Sequence, residues 1–180
     1  MHNVSYTKGF TLVETLVAIS ILVVVIVGPM TIAQKGVQNA YFANNQVTAV
    51  FLAQEAIEGI RELRDEAALK AYQNGTLDTD TWLTLLNCNG PYGCKFLREN
   101  TSNPYIKCDV LDDCKLFVDS NGVYSHTTGS PSLFTRTVTI GTAVGGGVPV
   151  EVSVTWKSKN INREVKLQTW IYDHYQRYGN

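Results

Sequence analysis

The sequence predicts an α+β fold: one long amino-terminal helix, half of it membrane-length and half amphipathic, packed on a carboxy-terminal antiparallel sheet. Three observations carry this. An apolar run over residues 10–33 leads, with no cluster of breakers, into a helix-periodic stretch ending near Tyr72. Three segments near the carboxy terminus alternate apolar and polar residues. Between helix and strands lies a turn-rich region holding four cysteines in two similar pairs.

The apolar run comes first. At ~1.5 Å rise per residue, residues 10–33 reach roughly 36 Å as a helix, enough to cross a ~30 Å hydrocarbon core with some tilt. A secretory signal has a shorter apolar core followed by a small-x-small cleavage site. Thr31-Ile32-Ala33 is a poor version of that site, and the apolar run is too long. Gly28-Pro29 lies inside the run, and its proline predicts a kink or a locally melted turn. Glu14 interrupts the apolar residues almost at the start, where a carboxylate is costly.

Beyond residue 33 the helical period continues. Val47, Val50, Ala53, Ile57, Ile60 and Leu63 form one apolar stripe, and Gln46, Gln54, Glu55, Glu58, Arg61, Glu62 and Arg64 occupy the other faces. After Leu69 the period breaks. Trp82, Leu83, Leu85 and Leu86 predict one short helix begun by Thr79 or Asp80.

The cysteines form CNGPYGC (Cys88, Cys94) and CDVLDDC (Cys108, Cys114), each pair enclosing more residues than zinc sites usually do. An even cysteine count behind a membrane segment points to disulfides in an oxidising compartment. Of the three possible pairings, Cys88–Cys94 and Cys108–Cys114 are favoured because each closes a short loop of turn-forming or acidic residues.

Leu116-Phe117-Val118, the turn Asp119-Ser120-Asn121-Gly122 and Val123-Tyr124 read as a hairpin. In FTRTVTI, Phe134, Arg136, Val138 and Ile140 share a face. VPVEVSVTW places Val148, Val150, Val152, Val154 and Trp156 together, and EVKLQTWIY alternates Val165, Leu167 and Ile171 with Lys166, Gln168 and Trp170. Loops over 141–147 and 157–163 complete an antiparallel meander, whose valine face needs the stripe of the helix as cover.

Catalytic chemistry finds no foothold. His2, His126 and His174 are far apart, and no Gly-x-Ser-x-Gly gives a triad its context. Gly145-Gly146-Gly147 precedes no helix and reads as a hairpin loop; Asp119-Ser120-Asn121-Gly122 lacks the downstream Glu of a calcium loop. Asn100-Thr101-Ser102 fits a glycosylation pattern, and Trp170, Tyr172, Tyr175 and Tyr178 read as packing and surface. The formal net charge of −1, without a block of Lys or Arg, argues against nucleic acid as partner. No enzyme, cofactor or metal is expected.

Lys8-Gly9-Phe10-Thr11-Leu12-Val13-Glu14, followed by the long apolar helix, resembles the prepilin signal of type IV pilins and type II secretion pseudopilins. The resemblance implies peptidase cleavage between Gly9 and Phe10, N-methylation of Phe10, and Glu14 as the characteristic fifth residue of the mature chain. It implies a leader over 1–9, a transmembrane and assembly helix over 10–33, and a pilin-like domain over 34–180. That domain divides into an amphipathic helix (34–72), a disulfide-stapled region (73–114) and a sheet (115–180). Implied partners are other pilin or pseudopilin subunits, the prepilin peptidase, an inner-membrane assembly platform, and lipid before assembly. Implied location is the inner membrane with an extracytoplasmic domain, then a filament. Arg-Thr-Val-Thr-Ile and Val-Thr-Trp, following a helix with Leu52-Ala53-Gln54-Glu55-Ala56, look more similar to minor than to major subunits. The alternative is an anchored binding or adhesion module that enters no filament.

Overall fold

A computed structural model describes residues 9–75, 88, 92–97 and 104–172. Helix α1, Leu12–Gln73, is followed by seven strands: β1 (Cys94–Phe96), β2 (Tyr105–Lys107), β3 (Lys115–Val118), β4 (Tyr124–Ser125), β5 (Ser130–Ile140), β6 (Gly147–Ser158) and β7 (Ile161–Tyr172). The fold is α+β, one long helix and then an antiparallel sheet. The chain forms two units, Met1–Asn44 and Asn45–Asn180, whose boundary falls inside α1.

The second unit is built on β5. One edge of β5 takes β3 near its start and β1 near Val138; the other takes β6, which pairs in turn with β7. All pairings are antiparallel, and a register shift separates Lys115 from Phe117 in β3. The sheet therefore reaches back into the cysteine region, where the sequence predicts irregular chain: β1 pairs with β2 from Cys94–Lys107 to Phe96–Tyr105. Strands of three residues are too short to display a period. The predicted loop over 157–163 shrinks to a tight turn at Lys159-Asn160, with Ser158 opposite Ile161. Lys159 adopts a positive φ of 56°, and this lets the strands run on through residues the sequence assigns to a loop. The short helix expected near Thr79 lies outside the described residues.

Alternation on β6 holds as expected: Val148, Val150, Val152, Val154 and Trp156 are buried. They face the core with Phe134, Arg136, Val138 and Ile140 of β5. The helix face that covers them is rotated from the expected stripe. Buried positions are Ala49, Leu52, Ala53, Ala56, Ile57, Gly59, Ile60 and Leu63, while Val47 is exposed and Val50 only half-buried. The reason is close approach. A Cβ on Gly59 would sit within 2.3 Å and 2.7 Å of the Phe96 ring carbons, so only glycine admits that ring. Alanines beside it let the rest of the helix settle equally near.

Arg136 fixes the orientation. Its guanidinium is buried under α1, where it donates to the Leu52 carbonyl (3.0 Å) and to the Glu55 carboxylate (2.8 Å). The second terminal nitrogen donates to the Phe96 carbonyl (3.4 Å), and the guanidinium carbon lies 5.6 Å from the Phe96 ring centroid. Glu55, placed on a polar face by its sequence period, is thus drawn half into the core. Beside it Tyr105 stacks on Phe96 (5.2 Å) and donates its hydroxyl to the Ala56 carbonyl (3.1 Å). Burial pushes the Tyr105 phenol well above its ordinary pKa, with the Arg136 charge partly opposing.

His126 lies buried at the same end, Nδ1 3.2 Å from the Lys115 carbonyl and Nε2 without a partner. Burial first, then the charges of Arg136 and Lys95, lower its pKa to about 3, against the raising effect of that carbonyl. The folded state therefore holds fewer protons than the unfolded chain between pH 6.5 and about 3. The neutral imidazole's contribution is complete above pH 6.5 and drains away as pH falls through that window.

Gly59→Ala is expected to lower stability by about 1–3 kcal/mol by overpacking Phe96, although alanine is the better helix former by about 1 kcal/mol. Phe96→Leu in the same chain should recover part of the loss, read as shifts in denaturation midpoint. His126→Gln should flatten the fall in stability between pH 6.5 and 3, where wild type loses on the order of 3 kcal/mol. Denaturant midpoints at pH 7, 5 and 4 check this, and an unchanged slope would refute it.

Candidate functional site: the amino-terminal stem

Gly9, Phe10 and Thr11 precede the helix, which starts at Leu12. Thr11 makes that boundary. Its Oγ1 accepts from the Glu14 amide (3.3 Å), and its carbonyl accepts from the Thr15 amide (3.2 Å), so it acts as an N-cap. Thr11-Leu12-Val13-Glu14 has the spacing of a capping box, with glutamate at the third helical position. The cap was open to sequence reasoning through that T-x-x-E spacing. It hides because the same four residues belong to the stretch that resembles a processing signal.

The consequence is local. Gly9 and Phe10 stay outside the helix, exposed, and nothing lies within 4 Å of where a Gly9 Cβ would be. Phe10 is 81% exposed. Glu14 sits in the first turn, where the unsatisfied amides and helix dipole favour a carboxylate. No ion pair to Glu14 forms among the described residues.

Between Thr15 and Ala33 the helix carries no charged side chain and is apolar on nearly every side. Its best 18-residue window has a mean hydropathy of 2.7, and none of that window is buried. Leu12, Val13, Leu16, Ile19, Val24 and Ile32 all stand exposed. Helical backbone bonds leave no unpaired amides along such a stretch, so lipid or neighbouring helices can cover it at no polar cost. The helix continues through Gly28-Pro29 without the melted turn that proline allows. Pro29 frees the Val25 carbonyl of its usual donor, and nearby Thr31 Oγ1 donates to the Gly28 carbonyl (2.7 Å).

The cysteines lie far along the chain from this stem. Cys88 joins Cys94 and Cys108 joins Cys114, with Cα separations of 5.4 and 5.8 Å. All four are fully buried, and the Cys108 amide donates to the Gly93 carbonyl (3.0 Å), so the two stapled loops abut. In the second loop Asp113 Oδ2 accepts from the Asp109 and Val110 amides (both 3.1 Å). Among the described residues, no group of three or more His, Cys, Asp or Glu is placed to hold a metal.

Stem and head together define a class: a chain with a capped, membrane-length apolar helix followed by an α+β unit. The family model of the prokaryotic N-terminal methylation motif matches residues 5–28. The match covers the amino-terminal motif alone, and type IV pilins and pseudopilins are the proteins whose signal this segment resembles. No curated protein and no solved structure matches the chain.

Proposed function

We propose that the chain is a minor subunit of a type IV pilus or pseudopilus. A prepilin peptidase cleaves it between Gly9 and Phe10, and its apolar helix serves in turn as membrane anchor and assembly stem. The observation that carries this reading is the match over residues 5–28 with the helix starting just after Gly9-Phe10. A protease needs extended, accessible backbone, and glycine on the leader side of the bond presents no side chain. Cutting there leaves the entire apolar helix on the mature chain. N-methylation then falls on the Phe10 amine.

Glu14 takes its role from that cut. In the bilayer a carboxylate costs about 2.5–3.5 kcal/mol on insertion scales. A neighbouring subunit's Phe10 ammonium offsets that cost, one helical turn from where the two helices start. Pairing of this kind selects subunits in register as they leave the membrane. Before assembly the head lies on the extracytoplasmic side, where disulfides Cys88–Cys94 and Cys108–Cys114 persist. The head's strand pattern and its paired stapled loops support a minor or tip position. The assembly platform and sibling subunits are its partners.

Mass spectrometry of the chain from membranes of a cell with a prepilin peptidase should show N-methyl-Phe10 as the first residue. An intact Met1 or a cut near Ala33 sinks the reading. Glu14→Ala should be processed normally and remain in the membrane, yet enter filaments at least tenfold less often. Equal incorporation would remove Glu14 from assembly.

A further inference from the structure

The outer face of the sheet, turned away from α1, carries a second organised surface. Register places Thr139 of β5, Glu151 of β6 and Gln168 of β7 side by side; the next positions along are Pro149 opposite Trp170 and Gly147 opposite Tyr172. The Trp170 and Tyr172 rings lie 6.3 Å apart at an interplanar angle of 24°, and both are exposed, at 50% and 42%. Their spacing matches residues i and i+2 on one strand face, about 6.6 Å apart. The strand beneath makes room for them. A Cβ on Gly147 would strike the Tyr172 ring edge at 2.5 Å, so that ring leans over bare backbone. The two rings stack on one another, and Trp170 is the one that lines the neighbouring cleft.

A cleft of about 580 Å³ adjoins it, with Trp170 and Pro149 as apolar wall and Thr139, Glu151 and Gln168 as polar wall. Gln168 Nε2 donates to Glu151 Oε2, and Lys166 Nζ lies 3.5 Å from Glu151 Oε1. The Gln168 hydrogen bond, then the Lys166 charge, keep Glu151 ionised below its ordinary pKa. Lys166 also pairs with Glu164 (3.4 Å), whose carboxylate accepts from Ser153 (2.7 Å), so the row is held as one connected ladder. Among the described residues the Gln168 carbonyl oxygen and the Thr139 hydroxyl have no partner, and Glu151 keeps spare lone pairs.

We infer that this cleft binds an oligosaccharide, a pyranose ring lying on Trp170, which Tyr172 backs by stacking, with its hydroxyls on Glu151, Gln168 and Thr139. Sugar rings present an apolar C–H face and an equatorial rim of hydroxyls, which donate and accept together. An aromatic surface edged by a fixed carboxylate, an amide and a hydroxyl answers both. A proline-rich segment also fits flat aromatics, but its backbone offers carbonyls that want donors. This wall is acceptor-rich, which favours the sugar. The volume lies within the ~300–1,000 Å³ usual for ligand clefts. The inference stands whether or not the chain enters a filament.

The test is calorimetric titration of the full chain in micelles of a zwitterionic, sugar-free detergent. The probes are lactose, maltose, cellobiose and N,N′-diacetylchitobiose, with decaproline as the competing chemistry. At least one disaccharide should bind saturably, with a dissociation constant on the order of 1 mM. Trp170→Ala and, separately, Glu151→Ala should each weaken it at least tenfold, with thermal melts confirming the fold. Phe51→Ala, an exposed aromatic on α1, should leave it unchanged. No saturable heat from any disaccharide up to about 50 mM, binding unaltered in both cleft variants, or binding of decaproline alone would overturn the inference.

Discussion

A guanidinium buried under a helix sets the terms for the folded head. Arg136 stands in an otherwise apolar row of β5, and taking it from water costs several kcal/mol unless its donors are met. They are met by groups from two directions: the Leu52 carbonyl and Glu55 carboxylate of α1, and the Phe96 carbonyl of β1. Its Nε stays unpartnered, so the site is not completely satisfied. Only one rotation and one axial position of α1 bring Leu52 and Glu55 over Arg136 together. The pair therefore specifies geometry more than it adds stability, since apolar replacements of buried pairs are often neutral. Tyr105 against Ala56 and Gly59 against Phe96 repeat that placement one and two turns along from Leu52.

Much of this was open to reading from the chain. The long helix is visible because its apolar run and its periodic stretch meet without breakers, and β6 because four valines and a tryptophan hold a strict period of two, with a proline on the opposite face. The buried stripe departs from the sequence period because Val47 and Val50 continue that period, while the sheet selects alanines and Gly59, which admit close approach. Arg136 was legible as a member of an apolar face. Its partner was not, because Glu55 and Arg136 are joined only once helix and strand are docked. Strands β1 and β2 escape for a simpler reason: three residues show no period.

The amino-terminal methylation motif was the most legible part, because Gly9, Phe10 and Glu14 sit within six residues and owe little to tertiary structure. What the structure adds is Thr11, the cap that ends the accessible segment and begins the helix. The cleft on the outer sheet face is the opposite case. Lys166, Gln168 and Trp170 are visible as the polar side of an alternating strand, yet Glu151 and Thr139 join them only through the register of β5 to β6 to β7. A one-residue slip would place Glu151 in the core and bury the cleft's carboxylate.

Two charges in this chain are set among apolar residues, and they are resolved at different stages. Arg136 finds Glu55 within its own chain, so its cost is met on folding and belongs to the stability of the head. Glu14 has no cation partner among the described residues. The positive end of its own helix, opened by Thr11, answers part of its charge. On the proposed reading, the remainder persists for as long as the chain is a lone subunit in lipid. On the proposed assembly, that remainder is met by a terminal amine which exists beside Phe10 only after the leader is cut. A chain that keeps its leader would have no such amine to offer its neighbour. Cleavage and assembly are then coupled through one unpaired carboxylate, without any change in the fold of the head.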